Sequence, residues 1–200
     1  RMVAVELQAQ NGEPVDDCLV VGVGASAGGL AAFKELFSHL PADAGLAFVL
    51  VQHLDPQHKS LLTDLLRPHT AMPVVEAVDG IPVARNHVYV IPPDATLTIE
   101  GGVLRVAKPA PARAHRHPID TFFCSLAEDQ GECAVAIVLS GVGSDGSLGV
   151  RTIKEHGGLT LAQAEFDHEA MRGMPLSAAA TGLVDHVVPI DGMREKLLAY

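Results

Sequence analysis

Aromatic residues make up only 4% of this 200-residue chain, and tryptophan is absent. A platform for single-stranded nucleic acid stacks bases on aromatic side chains interleaved with basic ones. Basic residues are scarce too: 14 Lys plus Arg against 24 Asp plus Glu leave a formal net charge of −10. That balance works against phosphate backbones and anionic membranes alike, so no nucleic-acid partner is expected. Cysteine is limited to Cys18, Cys124 and Cys133, an odd number in apolar surroundings without C-x-x-C spacing. They read as small buried hydrophobes in a reducing compartment. No apolar run reaches the roughly 18 to 20 residues a membrane span needs, and the N-terminus lacks the basic, apolar and small-residue succession of an export signal. The expectation is a cytoplasmic domain with no membrane insertion.

What is abundant is aliphatic. Hydrophobic residues are 48% of the chain and charged ones 19%, a profile that excludes disorder and suits a well-buried parallel sheet. At this length one domain buries roughly 70% of its unfolded surface and needs neither disulfides nor a structural metal. Residues 1–16 read as a linker or remnant, and the folded unit begins at residue 17. An apolar run at 18–23 passes through a glycine turn into a helical pattern at 30–39, and a second run at 47–52 leads to a helical pattern at 60–67. Short strands are expected at 74–77, 87–91, 96–99 and 103–107, the last two hinged at Glu100-Gly101-Gly102 as an inserted hairpin. A Pro- and Ala-rich surface loop over 108–118 should precede a helix N-capped by Asp120. Strands at 134–139, 159–162 and 184–190 and helices ending near His156 and Ala199 complete the alternation. The fold predicted is α/β: a doubly wound, mostly parallel sheet with helices on both faces and an inserted β-hairpin.

In such sheets ligands lie beyond the carboxyl ends of the strands, where the loops at 24–29, 53–58 and 140–146 should converge. Residues 24–28, GASAG, form a G-x-S-x-G between a strand and a helix, an arrangement that exposes a serine hydroxyl on a sharp turn beside free helical N–H groups. The same glycines loosely resemble a dinucleotide fingerprint and do not by themselves decide between a nucleophile and a pyrophosphate. Two other residues tip the balance. Where a dinucleotide fold would set a ribose-binding carboxylate, the second strand ends in His53, a side chain suited to general-base work. Asp145 lies in a second glycine-rich strand-to-helix turn, placed to orient an imidazole. The chain order Ser26, His53, Asp145 differs from that of the α/β-hydrolases, so a different fold is implied.

The segments VGVGASAGG at 21–29, QH at 52–53 and LSGVGSDG at 139–146, with HRHPID at 115–120, AQ at 162–163 and GMP at 173–175 in the same order, resemble the catalytic domain of the chemotaxis receptor methylesterases, the CheB type. The resemblance spans about residues 18–195 and makes 17–200 a methylesterase-like catalytic domain. It implies hydrolysis of glutamate methyl esters, and deamidation of glutamine, on methyl-accepting chemoreceptors or other methylated signalling proteins. Ser26 is then the nucleophile, His53 the base and Asp145 its orienting partner. Backbone N–H groups of Ala27 and Val142 form the oxyanion hole, and no metal or organic cofactor is implied. Arg116, Gly143 and Met174 are the expected substrate contacts, although Met171 and Met174 read first as packing residues.

The chain departs from the family pattern at Ala27 (commonly Thr), Val142 (Met), Leu176 (Arg) and Asp55 (Pro). The 17 residues before Cys18 are too few for a phosphoryl-receiver domain, so the expectation is a variant fused to methyltransferase or kinase domains. The alternative is a catalytically silent interaction or nucleotide-binding module of the same fold. A metal site built from His115 and His117 near His53, His58 and Asp55 is disfavoured because nothing specifies its third ligand. Asp167, His168 and Glu169 read as a solvated loop.

Overall fold

The computed structural model describes residues 19–26, 28–53, 61–108, 116–164 and 173–200. The strands are β1 (Val20–Ala25), β2 (Ala47–Gln52), β3 (Val74–Glu76), β4 (Ile81–Pro82), β5 (Val88–Val90), β6 (Thr96–Glu100), β7 (Val103–Ala107), β8 (Ala134–Val138), β9 (Leu159–Gln163) and β10 (His186–Val188). The helices are α1 (Gly29–Ser38), α2 (Leu62–Leu66), α3 (Pro118–Gln130), α4 (Ser147–Glu155), α5 (Met174–Ala180) and α6 (Met193–Leu198). Seven strands pair in the order β10-β9-β8-β1-β2-β5-β3, every pair parallel. The central β1 and β8 are buried along their whole length, as expected of continuous aliphatic runs covered on both faces.

One face packs Val21, Val23 and Ala25 of β1 against Phe33, Leu36 and Phe37 of α1, Leu62 and Leu66 of α2 and Met193 and Leu197 of α6. The other packs Val49 and Val138 against Ile119, Phe122, Phe123 and Leu126 of α3, Val150 and Ile153 of α4 and Met174 of α5. On this second face β1 presents Gly22 and Gly24. A Cβ on Gly22 would press on the Phe122 and Phe123 rings, and one on Gly24 would lie 2.6 Å from Ile119 Cγ2. Two bare positions therefore let α3 settle directly on the strand.

The expected hairpin is present, with Glu100 opposite Val103. The two-residue β4 extends it to a three-stranded antiparallel sheet. Its tight end is held by α3, where the Asp129 carboxylate accepts the N–H groups of Gly101 at 2.5 Å and Gly102 at 3.0 Å. Two sequence expectations are corrected. The helix near 60–67 is shorter than its pattern, running Leu62–Leu66 before a 3₁₀ turn at Arg67–His69 in which Pro68 cannot continue the α ladder. Asp120 is not the N-cap of α3: that helix starts at Pro118, with His117 at the N-cap position and Asp120 inside the first turn. The 1–16 segment and most of the 108–118 loop lie outside the described residues.

A side chain at Gly24 must lift α3 off β1. Gly24→Val is expected to lower stability by about 1–3 kcal/mol in urea unfolding with an unchanged slope, as overpacked cores do.

Candidate active site

In the parallel register of β1 and β2, Ala25 lies opposite Gln52. The next residue of each strand, Ser26 and His53, therefore leaves the sheet side by side, and the His53 N–H donates to Ala25 O at 2.9 Å. From the other side comes the loop after β8, whose Leu139 N–H donates to Gly24 O at 2.8 Å and whose Ser140 O accepts the Ser26 N–H at 3.0 Å. Ser26 is 6% exposed, Asp145 2% and the His53 side chain 35%. The hydroxyl and the carboxylate are thus buried, while the imidazole beside the carboxylate reaches solvent.

The loop over 140–146 is held against the serine at several points. Gln163 Oε1, at the end of β9, accepts the Ser140 N–H at 2.9 Å. Gly141 O accepts the Met174 N–H at 3.0 Å. Gly141 itself must be bare, because a Cβ there would run into Ser26 Oγ and N, and a Cβ on Gly173 would run into Gly141 O. This close approach aims the Val142 N–H at Ser26 Oγ, to which it donates at 2.8 Å. The Val142 side chain points away and is 66% exposed. Beside it a groove of about 400 Å³ is lined by Gly143, Ser144, Gly173, Leu176 and Ser177.

Asp145 closes the arrangement. Its Oδ2 accepts the Ile119 N–H at 3.1 Å, and its Oδ1 accepts those of Asp120 at 2.8 Å and Gly146 at 2.9 Å. The first two are free N–H groups of the first turn of α3, where the helix dipole favours an anion. Burial pushes the Asp145 pKa up, but the His53 imidazole and the Asp120 and Ile119 N–H groups outweigh it, holding the carboxyl below its ordinary range. His53 Nδ1 lies 3.3 Å from Asp145 Oδ2. The approach is off the line of a full hydrogen bond, so the buried Nδ1 has no in-line partner; such contacts often tighten only when substrate binds. The interaction with Asp145 nevertheless raises the His53 pKa above 6.5 against the opposing effect of burial.

Among the other residues singled out from sequence, Gly143 lines the groove. Arg116 forms an ion pair with Asp94 at 2.6 Å on the chain entering α3. Met174 is fully buried in the core beneath Gly141. Ala27, Asp55, His58, His115, Asp167, His168, Glu169 and Met171 lie outside the described residues. Among the described ones, His117, Asp120 and Asp145 bring ligand atoms within 4.8 Å of one another, but Asp120 Oδ1 and both Asp145 oxygens are already engaged by backbone N–H groups. The roles of Gln163 and of the Met174 N–H as loop anchors were not read from sequence. The AQ and GMP segments marked these places without revealing their contacts.

Ser26, His53 and Asp145 all lie in loops beyond the carboxyl ends of a doubly wound parallel sheet, the edge at which such folds bind their ligands. The CheB methylesterase family model matches residues 21–197, and the chain belongs to that family. It is 36% identical over 184 residues to "Protein-glutamate methylesterase/protein-glutamine glutaminase 2" of Xanthomonas oryzae pv. oryzae, covering 90% of this chain and 51% of that protein. It is 34% identical over 201 residues to "Protein-glutamate methylesterase/protein-glutamine glutaminase 6" of Anaeromyxobacter dehalogenans, covering 96% of this chain and 57% of that one. The crystal structure of the Thermotoga maritima CheB methylesterase catalytic domain superposes with a TM-score of 0.80 at 28% identity, covering 92% of this chain and 98% of that one. The chain spans about half the length of the curated relatives it matches. Among the described residues no helix is long and apolar enough to cross a membrane.

The signs of the two shifts can be checked by titration. His53, raised in the fold, contributes stability present below about pH 6.5 and lost as pH rises through its folded pKa; Asp145, lowered, contributes stability present above about pH 4 and lost as pH falls through its own. NMR of the His53 ring should give a midpoint above 6.5 in the parent and a lower one in Asp145→Asn. A midpoint that does not move contradicts the assignment.

Proposed function

We propose that this chain is a serine esterase domain that hydrolyses glutamate methyl esters on chemoreceptors or related methylated signalling proteins, and deamidates glutamine at equivalent positions. Ser26, His53 and Asp145 act as nucleophile, general base and orienting carboxylate. The observation that carries the reading is the Val142 N–H on Ser26 Oγ. A carbonyl carbon bonded to Oγ would bring its own oxygen into the neighbourhood of the same N–H. That N–H can pass from Oγ to the developing oxyanion, an interaction typically worth about 3–4 kcal/mol per donor.

In this reading the reaction runs through an acyl-enzyme. Neutral His53, held by Asp145 through Nδ1, takes the Ser26 hydroxyl proton on Nε2 as Oγ bonds to the ester carbon. The tetrahedral intermediate collapses, the C–O bond to the methoxy group breaks, and His53 returns the proton so that methanol leaves. Water, deprotonated by the same imidazole, then attacks the acyl-enzyme; the C–Oγ bond breaks as His53 returns that proton to Ser26 Oγ, and the glutamic acid released loses its own proton to solvent. With a glutamine side chain the leaving group is ammonia. Asp145 stays ionised throughout and stabilises the imidazolium, which its depressed pKa suits. No step calls for a metal or an organic cofactor.

The backbone N–H of Ala27 is the second oxyanion donor in this reading, and the groove beside Gly143 receives the residues flanking the ester. Arg116 keeps its proposed part in receptor approach, whereas Met174, fully buried in the core, does not line the groove and is withdrawn as a substrate contact. The relatives' names support the substrate class, and the residue pattern of the fold's carboxyl edge supports the chemistry. Fusion to methyltransferase or kinase domains and a cytoplasmic location belong to the same proposal.

Methanol release from a glutamate-methylated receptor cytoplasmic fragment tests it. Ser26→Ala, His53→Ala and Asp145→Asn should each fall by about 10³-fold or more, and combinations should cost little beyond the worst single change, as for residues that act as one unit. Unchanged hydrolysis by folded Ser26→Ala would sink the esterase reading. A folded parent with no turnover would favour the silent-module alternative.

A further inference from the structure

Asp145 and Asp120 stand at the starts of two neighbouring helices, and each serves the other's. The N-cap positions of α3 and α4, His117 and Gly146, make no side-chain capping bond. Instead Asp145, just before α4, accepts the Ile119 and Asp120 N–H groups of α3. In return Asp120 Oδ1, in the first turn of α3, accepts the N–H groups of Gly146 at 2.9 Å and Gly149 at 2.8 Å at the start of α4. The Gly146 N–H is shared between the two carboxylates. Four short contacts therefore lock the segment that carries Asp145 to the helix that holds its charge.

That lock is the far anchor of the loop over 140–146. The near anchors are Gly24 O, Gln163 Oε1 and the Met174 N–H, and between them hang both groups that matter to the reaction: the Val142 N–H on Ser26 Oγ and the Asp145 carboxylate 3.3 Å from His53 Nδ1. Release of the Gly146 and Gly149 N–H groups would remove two of the contacts that tie the Asp145 end of the loop to α3. We propose that Asp120 is a positioning residue of this site, which acts through Asp145 and its loop to set the His53–Asp145 contact and the aim of the Val142 N–H.

The inference rests on the reading of Ser26, His53 and Asp145 as the catalytic groups. A simple capping role would cost stability and leave the chemistry untouched, whereas a positioning role alters kcat and the imidazole. Burial raises the Asp120 pKa most, the Gly149 N–H lowers it, and the charge of Asp145 raises it again, as expected of a carboxyl packed tightly against both helices.

The test compares the parent, Asp120→Ala and Asp120→Asn by kcat and KM for methanol release and by the NMR titration of His53. Loss of the acceptor is expected to cut kcat about 10- to 100-fold, the scale of a 1 Å misplacement, with KM changed less than about twofold. The His53 midpoint should fall towards the ordinary value of about 6.5. Asp120→Asn, which keeps an oxygen in reach of both glycine N–H groups, should recover kcat to within about threefold of the parent. A folded Asp120→Ala with parental kcat and His53 midpoint, differing only in melting temperature, overturns the proposal. If Asp120→Ala does not fold, Asp120→Ser, too short to reach both amides, takes its place with the same expectations. If the parent itself releases no methanol, the esterase reading fails separately, and the His53 midpoint alone decides whether Asp120 positions the imidazole.

Discussion

Three backbone N–H groups, from Ile119, Asp120 and Gly146, hold the Asp145 carboxylate in a site that is almost closed to water. A bare carboxylate moved into such a place costs several kcal/mol and would rather take up a proton. Donors at a helix N-terminus reverse that preference, and the carboxylate they preserve, through its polar contact with Nδ1 first and its charge second, lifts the affinity of His53 for protons. The Asp145–His53 contact depends on α3 delivering two of those donors. It can do so because Gly22 and Gly24 leave β1 flat on that side, so that Ile119 and Phe123 pack where side chains would otherwise stand. The aliphatic composition of the sheet and the placement of one charged group are thus parts of a single arrangement.

The same economy governs the serine. Its N–H and its Oγ are both engaged by one loop, through Ser140 O and the Val142 N–H, and that loop comes close enough only because Gly141 and Gly173 lack a Cβ. The protein therefore spends glycines at backbone-to-backbone contacts around Ser26. The Val142 and Leu176 side chains, by contrast, are exposed, the latter at the rim of the groove.

Much of this was legible in the chain itself. Continuous aliphatic runs separated by glycine turns and helical patterns specify parallel strands with crossovers, and Ser26, His53 and Asp145 stand out because each follows such a run. Local signals were weaker where the partner is distant. Asp120 looks like a helix N-cap because an aspartate near a proline usually is one, yet its bonds go to Gly146 and Gly149, 26 and 29 residues away. Nothing in the neighbourhood of Gln163 or Met174 signals that their polar atoms anchor the loop after β8. The sheet order, with β8 beside β1 and β5 between β2 and β3, is likewise a matter of non-local pairing that periodicity does not carry. β4, two residues ending in Pro82, is too short to have a pattern at all.

The central claim is that Ser26 is a nucleophile activated by His53, and covalent labelling reads that directly. The protein would be treated with a fluorophosphonate, which phosphonylates activated serines, and followed by intact mass and peptide mapping across pH, with His53→Ala as the comparison. The account predicts one adduct per chain, at Ser26, formed faster as pH rises through the His53 titration and nearly abolished without the imidazole. A folded protein whose Ser26 stays unlabelled, or labels equally fast in His53→Ala, would contradict it.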